Sequence, residues 1–371
     1  MQLKNLKIKN FRNYDDLKLE LSDGINIIYG DNGQGKTNLL ESIYVLSFTK
    51  SHRSFIDNTL IKNEKNNAII KGTLVNGLSY DLEIIIEKNK KQIKMDGNVI
   101  NKIGDYIEKM NIITFYSDDL DLIKGSPQER RKYLNLGLSQ ISKNYYNTVN
   151  DYNKLIKTRN DYLKKLSNKE KINQEYFDIL TEYIVEKSVF IYQMRDKYIN
   201  KLNNSCGTIY ENITGKKGFH VKYVPSIELK DTSKETIRAL MKEKLTEMVE
   251  KEIGVRSTLY GPHRDDFEFY LNKNNLKNYG SQGQQRAAIL ALKLSEIEIF
   301  KGHKKTNPII LLDDVFSELD KDVRNNLLDY IKNDMQVIIT TTDLTHMDKK
   351  IINKAKLINI KQGKIIEEVK Q

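Results

Sequence analysis

The apolar run INIIY (residues 25–29) leads straight into GDNGQGKT (residues 30–37) and then into the apolar-periodic TNLLESIYVL. Gly30, Gly35, Lys36 and Thr37 satisfy the spacing G-x-x-x-x-G-K-[ST], between a predicted strand and a predicted helix as that motif requires. The glycines let consecutive backbone N–H groups turn toward one anion. Lys36 brings a point charge to the β and γ groups of a nucleotide, and Thr37 Oγ1 is an oxygen ligand for Mg2+. Asp31, Asn32, Gly33, Gln34 and Asn38 complete the stretch expected to line the nucleotide.

The rest of the chain supplies strands for such a loop, with a helical interruption. Residues 1–115 run mostly with period two (LKIKNF, LKLEL, YDLEIII, KQIKMDGNVI), with a hairpin turn at Asp96-Gly97. From about residue 126 to 204 the pattern is helical. It opens at SPQERRKYLNLGL, with Ser126 as cap, Pro127 at the first helical position and Glu129 completing a capping box. A strand at HVKYV, a helix over residues 233–252 and the period-two DFEFYL follow. The amphipathic QGQQRAAILALKLSEIEIF then precedes two solidly apolar runs, PIILLDD and QVIITTTD, which read as buried parallel strands. The expectation is an α/β fold with a strand-rich N-terminal lobe and an inserted, mostly helical second domain. Its boundaries are placed as head 1–122, helical arm 123–254, and head again 255–371.

IILLDD supplies the acidic strand end that a phosphate loop needs, with Asp313 to hold the Mg2+ shell and Asp314 to orient or deprotonate an attacking water. Roughly 275 residues separate Lys36 from Asp313, far more than a compact P-loop kinase or GTPase needs, and a guanine-reading NKxD is missing. SQGQQR (residues 281–286) opens the last long helix. Ser281 and Gly283 there offer an anion a hydroxyl, free N–H groups and the positive helix end; alone, they also read as an ordinary N-cap. Together with the loop and IILLDD, SQGQQR resembles the signature of ATP-binding-cassette ATPases, in which this serine and glycine touch the γ-phosphate held by a second subunit. SELD (residues 317–320) stands in the place of that class's D-loop. The resemblance implies ATP as the nucleotide, with Lys36, Asp313 and Asp314 in catalysis.

A closer resemblance covers nearly the whole chain. LKNLKIKNFRNYDDLKLEL, the loop segment, SHR (residues 51–53), LIKGSPQERRKYLN, LYGPHRDDFEF, GSQGQQR and ILLDDVFSELD are similar to the RecF family of bacterial DNA replication and repair proteins. Asn135 departs from the Asp that the family usually carries after ERRKYL, which puts a local helix contact in doubt. The resemblance implies an ABC-type head like those of Rad50 and the SMC chromosome-maintenance proteins, with a short helical domain in place of a long coiled coil. It further implies a recombination mediator that binds single-stranded, double-stranded or gapped DNA, forms an ATP-driven homodimer and hydrolyses ATP slowly. RecR is the implied partner, with RecO and RecA acting downstream, in DNA replication, repair and SOS induction. By their family position, Arg12 and Asn13 are expected near the nucleotide base or α-phosphate; a surface hairpin arginine is the alternative. A structural Rad50- or SMC-like head and a DNA scaffold with a vestigial nucleotide site are the competing readings.

The formal net charge of +11 makes the surface attractive to polyanions. Residues 124–171 hold twelve Lys or Arg against four acids. Lys157, Arg159, Lys164 and Lys165 are the candidate DNA contacts, a solvated helix face being the other reading. The helical spacing of Tyr145, Tyr146 and Tyr152 favours packing over base stacking. The single cysteine, Cys206, excludes an intrachain disulfide and fits a reduced compartment. MQLKNLKIKNFRNY lacks the pattern of an export signal, and no apolar run reaches membrane-span length, so a cytoplasmic protein without membrane contact is expected. In GPHRDD, the adjacent His263, Arg264, Asp265 and Asp266 suit ion pairing better than a metal site, because no second His lies nearby.

Overall fold

A computed structural model of the chain describes residues 1–315, 324, 326, 327, 330, 331, 335–345 and 347–370; the expected D-loop SELD lies outside the described residues. The contacts divide the chain into two compact units, residues 1–119 with 296–371, and residues 120–295.

The first unit holds two six-stranded sheets. One runs in the order Lys364–Lys370, Lys356–Lys361, Ile25–Tyr29, Val337–Thr341, Ile309–Asp313, Ile112–Tyr116. All its neighbours pair in parallel except the edge pair formed by the two C-terminal strands. INIIY, IILLD and VIITT bury almost every side chain, which is why they read as continuous apolar runs and not as alternating ones. The other sheet is antiparallel and contains Gln2–Phe11, Tyr14–Glu20, Asn67–Asn76, Leu78–Glu87, Lys90–Met95 and Asn98–Val99. Its last hairpin turns at Asp96 and Gly97, both at positive φ (52° and 77°), as a two-residue turn of the expected kind requires. Helix Lys36–Phe48 packs against strands of both sheets and buries nearly all of its 13 residues. Burial on every side from Leu39 to Phe48 fixes where its N-terminus, and hence the glycine loop, sits.

The second unit is mostly helical. Lys143–Ser167 and the 41-residue Gln174–Thr214 pack together, the first burying Tyr145, Val149, Tyr152, Ile156, Arg159 and Leu163 at three- and four-residue intervals. Tyr145 and Tyr152 are thus core residues, as their spacing suggests. A three-stranded antiparallel sheet joins Asn274–Asn275, Asp266–Leu271 and Phe219–Val224.

Four local expectations change. The compact division falls after Ser295 and not near residue 254. Strand Asp266–Leu271, expected with the head, pairs instead with Phe219–Val224, and Asp266 receives two hydrogen bonds from Arg130 (2.6 and 2.9 Å). Ser126 precedes helix Pro127–Ile141 as expected, but its side chain makes no capping bond; the carbonyl of Ser126 accepts from the Glu129 N–H instead. The helix expected over residues 233–252 is broken at Met248 into Lys234–Glu247 and Val249–Val255.

Candidate nucleotide-binding site

The loop between Ile25–Tyr29 and Lys36–Phe48 takes its shape from contacts behind it. Gly30 (φ 146°) and Gly35 (φ 112°) hold conformations that L side chains rarely adopt. A Cβ on Gly30 would lie 2.3 Å from the carbonyl oxygen of Ile360, and one on Gly35 2.5 Å from Asn13 Nδ2. The Gln34 carbonyl accepts from Asn13 Nδ2 (3.3 Å) and Gly363 N–H (3.0 Å), and the Gly35 carbonyl accepts from the Tyr14 hydroxyl (2.9 Å). Gly33 sits at φ 77° with nothing near the place of a Cβ, while Asp31 and Asn32 are exposed. Lys36 is buried, and its ammonium donates to the carbonyls of Gly30 (2.5 Å) and Asp31 (2.8 Å). Burial lowers its pKa, against the opposing pull of Asp314, Asp313 and Asp31. An anion placed beside this desolvated ammonium would restore the charge interaction that burial removes.

Asp313 ends the central strand Ile309–Asp313 and accepts from Thr37 Oγ1 (3.1 Å) and Thr340 Oγ1 (2.7 Å). Thr340 belongs to the strand between the loop strand and the acidic strand, in register with Ile28 on one side and Asp313 on the other. Burial raises the pKa of Asp313, and so does Asp314; Thr340, Thr37 and Arg53 oppose the rise. Asp314 turns the chain at φ 52°, its N–H donating to the carbonyl (3.3 Å) and hydroxyl (3.1 Å) of Thr340. Thr37 Oγ1 and the Asp313 carboxylate form a pair of hard oxygen donors, which fits the one or two that Mg2+ takes from protein when phosphates and waters supply the rest.

A buried carboxylate, Glu41, organises the near side of the loop helix. It accepts from Arg12 Nε (2.9 Å) and Nη2 (2.7 Å), Ser51 Oγ (2.6 Å) and Arg53 Nη1 (3.3 Å). Burial alone would raise its pKa, but the bonds from Arg12 and Ser51 and the two guanidinium charges bring it below the ordinary value. Arg12, expected near nucleotide, thus serves first as an anchor, with Nη1 also donating to the Thr59 carbonyl (2.9 Å). Asn13 and Asn38 bond each other (2.8 Å) and brace the loop from behind. Arg53, whose role the sequence left open, donates to Asn38 Oδ1 (2.9 Å) and acts electrostatically on Asp313, with nearly half its side chain exposed.

In the second unit, Ser281 and Gln284 form a reciprocal capping box: Ser281 N–H donates to Gln284 Oε1 (2.9 Å) and Gln284 N–H to Ser281 Oγ (3.3 Å). Ser281, Gln282 and Gly283 are exposed, and beyond its own helix backbone and chain neighbours no atom of the described residues lies within 4 Å of where a Cβ on Gly283 would be.

The RecF/RecN/SMC N-terminal domain matches residues 2–366 of this chain. A DNA replication and repair protein RecF from Ligilactobacillus salivarius (strain UCC118) is 38% identical over 371 residues, covering 99% of this chain and 98% of its own. The chain belongs to the RecF family. The RecF of Staphylococcus haemolyticus (strain JCSC1435) is also 38% identical, with 99% and 100% of the two chains covered. A solved structure of the recombination mediator protein RecF with ATP, from the RecFOR pathway, is similar at a TM-score of 0.91 and 33% identity over 99% of this chain and 97% of that one. The Smc head domain of Pyrococcus furiosus, at 15% identity and a TM-score of 0.56, shares the fold alone. The ABC-type head fold expected from the motifs is therefore the fold of this RecF-family chain.

The remaining candidates divide sharply. Lys157, Lys164 and Lys165 are exposed on helix Lys143–Ser167. Arg159 is not: it is fully buried, ion-paired with Glu252 (2.7 Å) and bonded to Thr258 Oγ1 (2.9 Å). Its place on the helix face turned toward the core removes it from the DNA contacts. GPHRDD forms ion pairs and hydrogen bonds, with Asp265 held by Arg195 (2.7 Å) and the Ser226 N–H (2.9 Å), and His263 by Tyr152 (2.7 Å) and the Thr258 carbonyl (3.0 Å). Asn135 Oδ1 accepts from Tyr145 (2.8 Å) and Arg195 Nη2 (3.0 Å), so a neutral side chain makes both contacts here.

Proposed function

We propose that this chain is an ATP-gated, DNA-binding recombination mediator whose two copies close around nucleotide. The observation that carries the reading is the pairing of a fully built phosphate loop, Lys36 and the Thr37–Asp313 oxygen pair, with a Ser281–Gly283 segment that is exposed among the described residues. Gly30 to Thr37 hold the phosphates of ATP through backbone N–H groups and Lys36; Arg12, Asn13 and Asn38 keep that loop in shape. Mg2+, held by Thr37 and Asp313, supplies charge neutralisation on the phosphates. Asp314 orients or deprotonates the attacking water. Ser281 and Gly283 of a second copy complete the site, so their binding free energy favours the closed dimer only when ATP is present. Asp is one methylene shorter than the Glu that many cassette ATPases carry at this place, which is consistent with slow turnover and a long-lived clamp.

DNA is held by phosphate contacts from an exposed lysine face that includes Lys157, Lys164 and Lys165. The closed dimer works on single-stranded or gapped DNA with RecR, upstream of RecO and RecA, in the cytoplasm. No helix among the described residues is long and apolar enough to cross a membrane.

One observation favours a second reading. Ser281 Oγ already accepts from Gln284, so the segment also works as a plain helix cap in a monomeric, nucleotide-dependent DNA binder. Light-scattering mass without nucleotide, with ADP and with ATP separates the two. Doubling with ATP alone supports the clamp, and an unchanged mass with ATP bound supports the monomer.

A further inference from the structure

The C-terminal strands Lys356–Lys361 and Lys364–Lys370 are joined by a two-residue turn, Gln362 (φ 51°) and Gly363 (φ 70°). Such a turn follows the twist of its strands and is stiff. Both of its N–H groups are bonded to Gln34: Gly363 N–H donates to the Gln34 carbonyl (3.0 Å) and Gln362 N–H to Gln34 Oε1 (2.7 Å). The same hairpin abuts the other end of the loop, where the Ile360 carbonyl stands 2.3 Å from the place of a Cβ on Gly30. A segment more than 320 residues downstream therefore touches the glycine loop at its first and fifth positions.

The contact at Gln34 has a directional consequence. A trans peptide is planar, so a carbonyl held on one side sends the next N–H to the other. Pinning the Gln34 carbonyl against the turn aims the Gly35 N–H away from the hairpin. Asn13 Nδ2 donates to the same carbonyl at 3.3 Å, and the Tyr14 hydroxyl fixes the following peptide through the Gly35 carbonyl at 2.9 Å. Anion affinity in such a loop depends on N–H groups that already converge before the anion arrives.

We infer that the Gln362–Gly363 turn is a positioning element for the phosphate loop, acting through Gln34 to preset the Gly35 amide for anionic ligand. The inference rests on the nucleotide-binding reading above. Coupling of this kind is reciprocal: whatever the turn contributes to nucleotide affinity, bound nucleotide returns as protection of the turn.

The test uses the full chain with the non-hydrolysed analogue ATPγS and Mg2+, read by titration calorimetry and by hydrogen exchange over residues 356–370. Gln34→Ala removes the side-chain acceptor and is expected to weaken binding about fivefold to tenfold. The melting temperature of the nucleotide-free variant stays near that of wild type, which a merely structural brace would not allow. ATPγS slows exchange at Gln362 and Gly363 in wild type, and this protection is lost in Gln34→Ala. Gly363→Asn, which keeps the N–H and tolerates positive φ, binds more tightly than Gly363→Val, which does not tolerate it. Wild-type affinity in Gln34→Ala, or exchange in the turn that ignores nucleotide, overturns the inference alone. A wild-type protein that binds no ATPγS overturns the nucleotide reading and this one with it.

Discussion

Gly30, in the glycine loop, and Gly283, at the start of helix Gln282–Lys304, are both proposed to meet nucleotide, yet their surroundings are opposite. Gly30 is forced by its own chain, with positive φ and a carbonyl oxygen at 2.3 Å from any added Cβ; Gly283 has no positive φ and open space where a Cβ would go. The first glycine is explained entirely by folding. The second is not, and a glycine in the first turn of a helix is a poor choice on propensity alone. The same contrast runs through the second unit, where Arg159 is locked inside while Lys157, Lys164 and Lys165 on the same helix face water. Residues held by the chain itself should reveal themselves in stability, and residues open to the outside in association.

The largest effect is expected at Arg159. Arg159→Ala leaves Glu252 buried without its charge partner, and breaking such a pair costs about 3–5 kcal/mol, read by urea unfolding. The triple variant Lys157→Ala, Lys164→Ala, Lys165→Ala is expected to leave unfolding almost unchanged. It should instead reduce the slope of log K against log salt for DNA by up to about 2–3. An unchanged slope would move the DNA surface elsewhere.

Gly30→Ala comes next, at about 2–4 kcal/mol of lost stability, because φ strain and a backbone clash add. A smaller loss would mean that the C-terminal strands yield readily, which would also weaken the case for a preset loop.

His263 gives a pH-dependent version of the locked class. Burial lowers its pKa to about 4 from 6.5, with Arg264, Arg131 and Arg195 adding to the depression and the Thr258 carbonyl opposing it. A folded-state value below the unfolded one means that stability is fully present above pH 6.5 and is lost as pH falls toward 4. At pH 5 the expected loss is about 2 kcal/mol relative to pH 7. Urea unfolding at the two pH values checks this, and His263→Gln should flatten the difference.

The locked and open classes were not equally legible in the sequence. The loop from Gly30 to Thr37 and the acids at Asp313 and Asp314 stand out because their chemistry is compressed into short runs beside strands and a helix. Glu41 gave no such signal. It sits in the middle of a buried helix, and its partners Arg12, Ser51 and Arg53 approach from both sides in sequence, so only the fold shows that one carboxylate ties them together. The extent of the second unit was hidden for the same reason: Phe219–Val224 and Asp266–Leu271 pair across more than 40 intervening residues. On helix Lys143–Ser167, charge counting treated Arg159 like its lysine neighbours, although its phase on the helix matches that of the buried Tyr152, Ile156 and Leu163.

Gly283→Ala is the smallest change in stability and the sharpest test of the contrast. Alanine fits a helical backbone better than glycine by up to about 1 kcal/mol, and here its methyl meets nothing else among the described residues within 4 Å, so the variant should melt at or slightly above the wild-type temperature. ATP binding by the phosphate loop should be untouched. If Gly283 is glycine because a second copy's nucleotide and loop approach it closely, the added methyl must intrude there, and the ATP-dependent doubling of mass should weaken or vanish. A variant that is stable, binds ATP and no longer pairs would place the reason for this glycine outside its own chain. One that pairs as wild type does would show that the closed dimer leaves room at this position, and Ser281 would then have to carry the contact without close backbone approach.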